Sequence, residues 1–194
     1  MDKQPLSRTN TRKSKRRLRS ALPANERDIA ERSLARVGSL FPQLRNATRV
    51  LSYIPVGGEI SPNSLEKSLT KAQIYQPRIT SFDSGLMHFY PATALKSRNR
   101  FGILEPAAIG APMPAKQFDV VLVPLVAFDR AGNRLGMGAG FYDRAMAFRL
   151  NNPKTLRPLL VGLAHHFQEV NSLNAQAWDV PLDVILTDRE LIRT

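Results

Sequence analysis

The chain has no cysteine, which excludes disulfides and thiolate metal sites and argues for a reducing compartment. Long hydrophobic runs are missing too. The longest, such as residues 120–128, falls far short of the ~20 a membrane helix needs. Residues 1–20 are crowded with Lys and Arg and contain no apolar segment of the kind a secretory leader requires. A cytoplasmic protein with no membrane partner is expected.

Acidic residues are scarce, 16 against 28 Lys and Arg, for a formal net charge of +12. The excess is local. Residues 1–50 hold 13 basic and 4 acidic side chains, a balance of +9, and the remainder balances at +3. Arg8, Arg12, Lys13, Lys15, Arg16, Arg17 and Arg19 lie within twelve residues that contain no acid. Such a field attracts any polyanion, whether a nucleotide triphosphate, a polyglutamate or RNA. The cluster has no interleaved aromatics and no RNA-recognition motif accompanies it, so nucleic acid is not the expected partner.

What is present is enough apolar residue, 43% of 194, to bury roughly 70% of the unfolded surface behind one core. One domain spanning 1–194, with 1–20 as a basic helix or arm, is the expected organisation, and a monomer is favoured. Helices are predicted over 12–22, 24–40 and 62–72, the last entered through Ser61 and Pro62. Strands are predicted over 48–55, 74–79, 86–90, 120–126, 159–164 and 184–187, and a surface loop over 106–116. The run at 120–126 is apolar enough to be buried on both faces of a parallel sheet. Strands alternating with helices give a three-layer α/β/α fold, whose ligands gather beyond the carboxyl ends of the strands.

The most informative stretch follows 120–126: a turn at 129–133, then Arg134, Leu135, Gly136, Met137, Gly138, Ala139, Gly140, Phe141, Tyr142, Asp143 and Arg144. Three alternate glycines before a helix let the backbone adopt positive φ and aim N–H groups at phosphate oxygens. The spacing is neither a Walker loop nor a dinucleotide fingerprint. Arg134 and Arg144 flank it with cations, and Asp143 is placed to hold Mg²⁺ beside a triphosphate. Alone, the triplet reads equally well as a tight surface turn.

GNRLGMGAGFYDR at 132–144 resembles the 5-formyltetrahydrofolate cyclo-ligase family, whose pattern is R-x-G-x-G-x-G, an aromatic, Tyr and Asp. Further segments resemble that family in order: Tyr53-Ile54-Pro55 with Gly58-Glu59-Ile60, Gln76-Pro77-Arg78, Phe101-Gly102-Ile103-Leu104-Glu105-Pro106, Val161-Gly162-Leu163-Ala164 with Phe167-Gln168, and Trp178-Asp179-Val180-Pro181-Leu182-Asp183. The resemblance implies a NagB/RpiA/CoA-transferase-like fold with a mostly parallel sheet. It implies ATP- and Mg²⁺-dependent closure of 5-formyltetrahydrofolate, with or without a polyglutamate tail, to 5,10-methenyltetrahydrofolate. Carried over residue by residue, Arg8, Arg12 and Arg134 to Tyr142 line ATP, and Ile54, Glu59 and Met137 to Phe141 meet the folate. Asp143 and Asp179 hold Mg²⁺, and Arg134 and Tyr142 are catalytic.

Blander readings stand beside these. Asp143 suits a first helical turn, Asp179 a turn before Pro181, and Glu59 a solvated turn charge. Arg8 and Arg12 are expected to be flexible surface charges in the free protein, and Lys15 and Arg19 repeat their spacing. His165 and His166 are expected to be structural, and Phe89 and Tyr90 to be core. Other functions compatible with these residues are a basic RNA-binding module and a same-fold enzyme for a phosphosugar or another ATP-activated amide.

Overall fold

The computed structural model describes residues 7–92, 96–100, 102–151 and 157–194; Phe101 of the fourth resembling segment lies outside them. The elements run α1 (Arg8–Ser20), α2 (Ala24–Ser39), α3 (Pro42–Arg45), β1 (Arg49–Leu51), α4 (Asn63–Ser68), β2 (Gln73–Ser81), β3 (Leu86–Pro91), β4 (Lys96–Arg98), β5 (Leu104–Pro106), β6 (Val120–Pro124), β7 (Ala127–Phe128), β8 (Arg134–Leu135), α5 (Phe141–Met146), β9 (Leu159–Ala164), β10 (Val184–Thr187) and β11 (Leu191–Arg193).

Seven strands form the central sheet in the order β11-β10-β9-β6-β1-β2-β3. The five inner strands are parallel, and β3 and β11 close the edges antiparallel. Side chains alternate across β6, as strand geometry requires. Val120 and Leu122 join a core with Leu34 of α2, Leu44 of α3 and Leu65 of α4. Val121 and Val123 join a second core with Phe89, Phe118 and Met146 of α5. Helices therefore cover both faces, the three-layer arrangement expected. From β1 the chain passes to β2 on one side and later returns to β6 on the other, so a topological switch point falls between β1 and β6.

β9 and β10 match their predicted spans, and β6 stops two residues early. β1 has three residues instead of eight, because the chain beyond Ser52 turns through Gly57 and Gly58, both at positive φ. α4 stops at Ser68, where buried Leu69 leaves the helical region to fill the core. α1 begins four residues before its predicted start, where the Ser7 hydroxyl accepts from the Asn10 amide. The 106–116 stretch is mostly loop, ending in a 3₁₀ turn at Ala115–Gln117. Among the described residues, no helix is long and apolar enough to cross a membrane.

Candidate active site

The glycine loop is aimed by the turn that precedes it. Asp129, almost fully buried, accepts from the amides of Ala131 and Asn133 through Oδ1, and from Asn133 Nδ2 and the Leu173 amide through Oδ2. That carboxylate fixes the predicted turn, and the β7–β8 hairpin delivers Arg134 inward. Arg134 is buried. It donates to Val180 O at 2.5 Å and to Asp143 Oδ1 at 2.7 Å, and the same oxygen accepts from the Val180 amide at 3.1 Å. Asp143 Oδ2 has no hydrogen-bond partner among the described residues.

Beyond Arg134 the backbone needs glycine at two of the three positions. Gly138 has φ +111° and Gly140, the cap of α5, has φ +67°, a region costly for any residue with a Cβ. α5 is six residues long, so its dipole adds less than the sequence suggests.

α1 lies across this loop. Arg12 Nε donates to Gly136 O at 2.9 Å, and its two terminal nitrogens have no hydrogen bond to a described residue. Arg8 holds Asp179 at 2.6 Å and also donates to Asn174 O. Burial pushes the Asp179 carboxyl up, but hydrogen bonds from Arg8 and the Gln176 amide outweigh it and hold the group below its usual range. Arg12 is lowered by burial and by the neighbouring charge of Arg8. The expectation that Arg8 and Arg12 are flexible surface charges is therefore corrected: both are ordered by carbonyl and carboxylate partners. Lys15 and Arg19 complete the same helical stripe but serve as anchors. Lys15 donates to Phe167 O and Glu169 O, and Arg19 to Gly57 O and Leu125 O.

Arg8, Arg12, Arg134, Gly136, Gly138, Ala139, Gly140, Asp143 and Asp179 share one cavity of about 450 Å³, together with Arg144 and Trp178. That volume is within the range of small-ligand sites. The carboxylates suit a hard divalent cation, which takes one or two of them plus phosphate and water. Asp143 Oδ2 has no partner among the described residues, whereas both oxygens of Asp179 accept from Arg8.

The other candidates lie outside the cavity wall. Leu135 is fully buried and its carbonyl accepts from the Val126 amide. Phe141 meets the edge of Phe82. Ile54 is half-buried. Glu59 is not the solvated charge of the bland reading: its side chain is only 7% exposed, 3.6 Å from Arg19 and accepting from the Val56 amide. Burial raises its pKa, with Arg19 opposing. The Tyr142 hydroxyl is buried with no partner among the described residues; burial and the nearby Glu59 raise its pKa, so it stays neutral. Met137 spans the two regions, its sulfur 3.9 Å from Arg19 Nη2.

Sequence reasoning missed the buried Arg19 as the link between α1, the Gly57–Glu59 turn and the end of β6. Its signal was the spacing 8, 12, 15, 19, one face of a helix. His165 is buried, with Nε2 3.2 Å from Gly58 O and its ring stacked on Phe167, a bracing role. His166 comes close to the carboxylates of Glu169 and Glu190, a grouping the sequence reading did not see, and Arg130 bonds both carboxylates.

Comparison with known proteins follows the same outline. The model described as the 5-formyltetrahydrofolate cyclo-ligase family matches residues 4–188. A 5-formyltetrahydrofolate cyclo-ligase of Haemophilus influenzae is 37% identical over 177 residues, covering 88% of this chain and 92% of that protein. One from Escherichia coli K12 is 32% identical over 179 residues, covering 89% and 95%. The solved 5,10-methenyltetrahydrofolate synthetase of Aquifex aeolicus superposes with a TM-score of 0.79 at 30% identity, covering 97% of this chain and 93% of that one.

Proposed function

We propose that this chain, which belongs to the 5-formyltetrahydrofolate cyclo-ligase family, closes 5-formyltetrahydrofolate to 5,10-methenyltetrahydrofolate at the expense of ATP, with Mg²⁺ as cofactor. The observation that carries the ATP half is Arg12. Its Nε is fixed on the glycine loop, its terminal nitrogens have no hydrogen bond to a described residue, and burial and the like charge of Arg8 disfavour its charged form against the opposing pull of Asp179. A guanidinium with open donors beside a positive-φ glycine loop is relieved by an anion.

The chemistry requires an activated oxygen, because a formamide oxygen does not leave unaided. In the proposed reaction that oxygen attacks the γ-phosphorus and the bond to ADP breaks. N10 then attacks the formyl carbon, the carbon–oxygen bond breaks, phosphate leaves and the N10 proton is lost. Phosphoryl transfer needs positioning and charge neutralisation more than covalent help from the protein. Arg12, Arg134 and the amides of 136–140 supply donors around the moving phosphoryl group. Asp143 and Asp179 would hold Mg²⁺, which supplies further charge neutralisation on the phosphates. Glu59, beyond the end of β1, orients the pterin by accepting its N–H groups, with Ile54 beside it. The neutral Tyr142 hydroxyl offers its proton to a substrate oxygen.

Purified protein mixed with 5-formyltetrahydrofolate should develop the near-ultraviolet band of the conjugated methenyl product only when ATP and a divalent ion are both present. No band under any nucleotide would sink the assignment.

A further inference from the structure

Trp178 is the single tryptophan of the chain and is 65% exposed. It makes no hydrogen bond or ring contact with a described residue, yet it lines the cavity that holds Arg12, Asp143 and the glycine loop. Exposing an indole costs hydrophobic free energy that an occupant of that cavity recovers. Beyond the glycine loop two further lining residues are apolar, Ala147 and Leu150. They follow Asp143 at i+4 and i+7, so on a helical path they continue its face away from the loop. Ala147 is seven residues past Gly140, about 10 Å at ~1.5 Å per residue.

The segment carrying Trp178 is fixed against the same elements. Asp179 is held by Arg8, and the Val180 amide and carbonyl bond Asp143 and Arg134. The cavity thus has donors for an anion at the loop and an aromatic face with aliphatic neighbours along the path leading from it. A nucleoside triphosphate has that division, with charge at one end and a flat π-surface at the other.

We infer that Trp178 is the stacking platform for the nucleotide base, opposed by Leu150 and Ala147. This rests on the ATP reading above and adds where the base lies. Stacking on a single aromatic face explains base affinity without hydrogen-bond readout, so the subsite tolerates any purine.

The lone indole makes the test direct. With Mg²⁺ present and excitation at the red edge of indole absorption, where adenine is transparent, ATP should quench the emission with saturation near its KM. Inorganic tripolyphosphate, which has the charge and no base, should bind competitively with little quenching. Trp178→Ala should raise KM for ATP about tenfold, with the loss in KM rather than kcat, while leaving tripolyphosphate inhibition and KM for folate in place. Trp178→Phe should restore most of the affinity. Because the side chain is exposed, neither variant disturbs the core. If ATP-driven turnover is intact but ATP leaves the emission unchanged, or Trp178→Ala keeps the parental KM, the base lies elsewhere and the inference is overturned. Absence of ATP-driven turnover in the parent protein is a separate result, and it removes the ATP reading itself.

Discussion

Along α2 the residues turned inward are Ala30, Leu34 and Gly38, and a Cβ on Gly38 would come within 2.8 Å of Leu65 and Leu186. Along α1 they are Arg8, Thr11, Arg12, Lys15 and Arg19, while Leu18 faces outward at 51% exposure. One helix is held by hydrocarbon packing, which is non-directional and forgiving of small rotations. The other is held by guanidinium and ammonium groups on carbonyl oxygens and carboxylates, which fix direction as well as position. α2 builds the core, and α1 presents Arg8 and Arg12 to the cavity at set angles. The difference also reinterprets the basic N-terminus: of the seven cations counted there, Lys15 and Arg19 are spent on backbone carbonyls, and Arg8 and Arg12 face the cavity rather than open surface.

Removing one anchor from each helix should separate the two modes most widely. Leu34→Ala should lower the unfolding free energy by about 2–5 kcal/mol through transfer and cavity costs, with KM values of the folded protein unchanged. Arg19→Met should cost about 3–5 kcal/mol, because buried Glu59 loses its counter-charge and two carbonyls lose a donor, and should also weaken folate binding by freeing the Gly57–Glu59 turn. Urea unfolding and KM measurements together check this. An Arg19→Met protein as stable as the parent would mean that α1 is not docked by its cations.

Asp143→Asn comes next. It should cut turnover on the order of 100-fold and raise the Mg²⁺ requirement, because a neutral amide holds a hard cation poorly. The loss of stability should be no more than about 1–2 kcal/mol, since the amide oxygen can still accept from the Val180 amide. If the variant unfolds, Asp143 is a structural partner of Arg134 rather than a metal ligand.

Gly138→Val should be smaller and should fall mainly on nucleotide. The site has open space around it, with only Arg12 Nε as near as 4.0 Å, so the penalty comes from φ +111°, of order 1–3 kcal/mol. Calorimetry with a non-hydrolysable ATP analogue should show at least about a tenfold loss of affinity and little change for folate. Unchanged nucleotide affinity would make the loop a mere turn.

How much of this was visible in the residues depends on what holds each element. β9 and β10 were legible to the residue because strands buried on both faces read as continuous apolar runs. β4, β5, β7, β8 and β11 are two or three residues long, too short for a period, and exist through their pairing partners. α1 was placed late because periodicity searches for apolar stripes, and its stripe is cationic. The glycine loop was legible through its unusual composition. Arg19 and Trp178 were not, because their meaning lies in what surrounds them, as does the burial of Glu59.

The smallest expected effect concerns that burial. Glu59→Gln should weaken folate several-fold and leave ATP nearly unchanged, and equal losses for both would contradict the division of the site. Burial raises the Glu59 pKa above 4.5, so the charged form is the one disfavoured in the folded protein. As pH falls through that raised value, Glu59 takes up a proton, loses its acceptor charge, and KM for folate rises. The Glu59→Gln protein should lack this inflection. In stability the sign is opposite: the preference for the neutral form favours folding at low pH and is lost as pH rises through the raised value.

The central claim is that ATP activates the formyl oxygen itself. Substrate carrying heavy oxygen in its formyl group, taken through one turnover with unlabelled ATP and water, should pass the label into inorganic phosphate and leave none in the methenyl product or the solvent. Label appearing in water, with phosphate unlabelled, would mean that ATP hydrolysis and ring closure are separate events and would contradict the account.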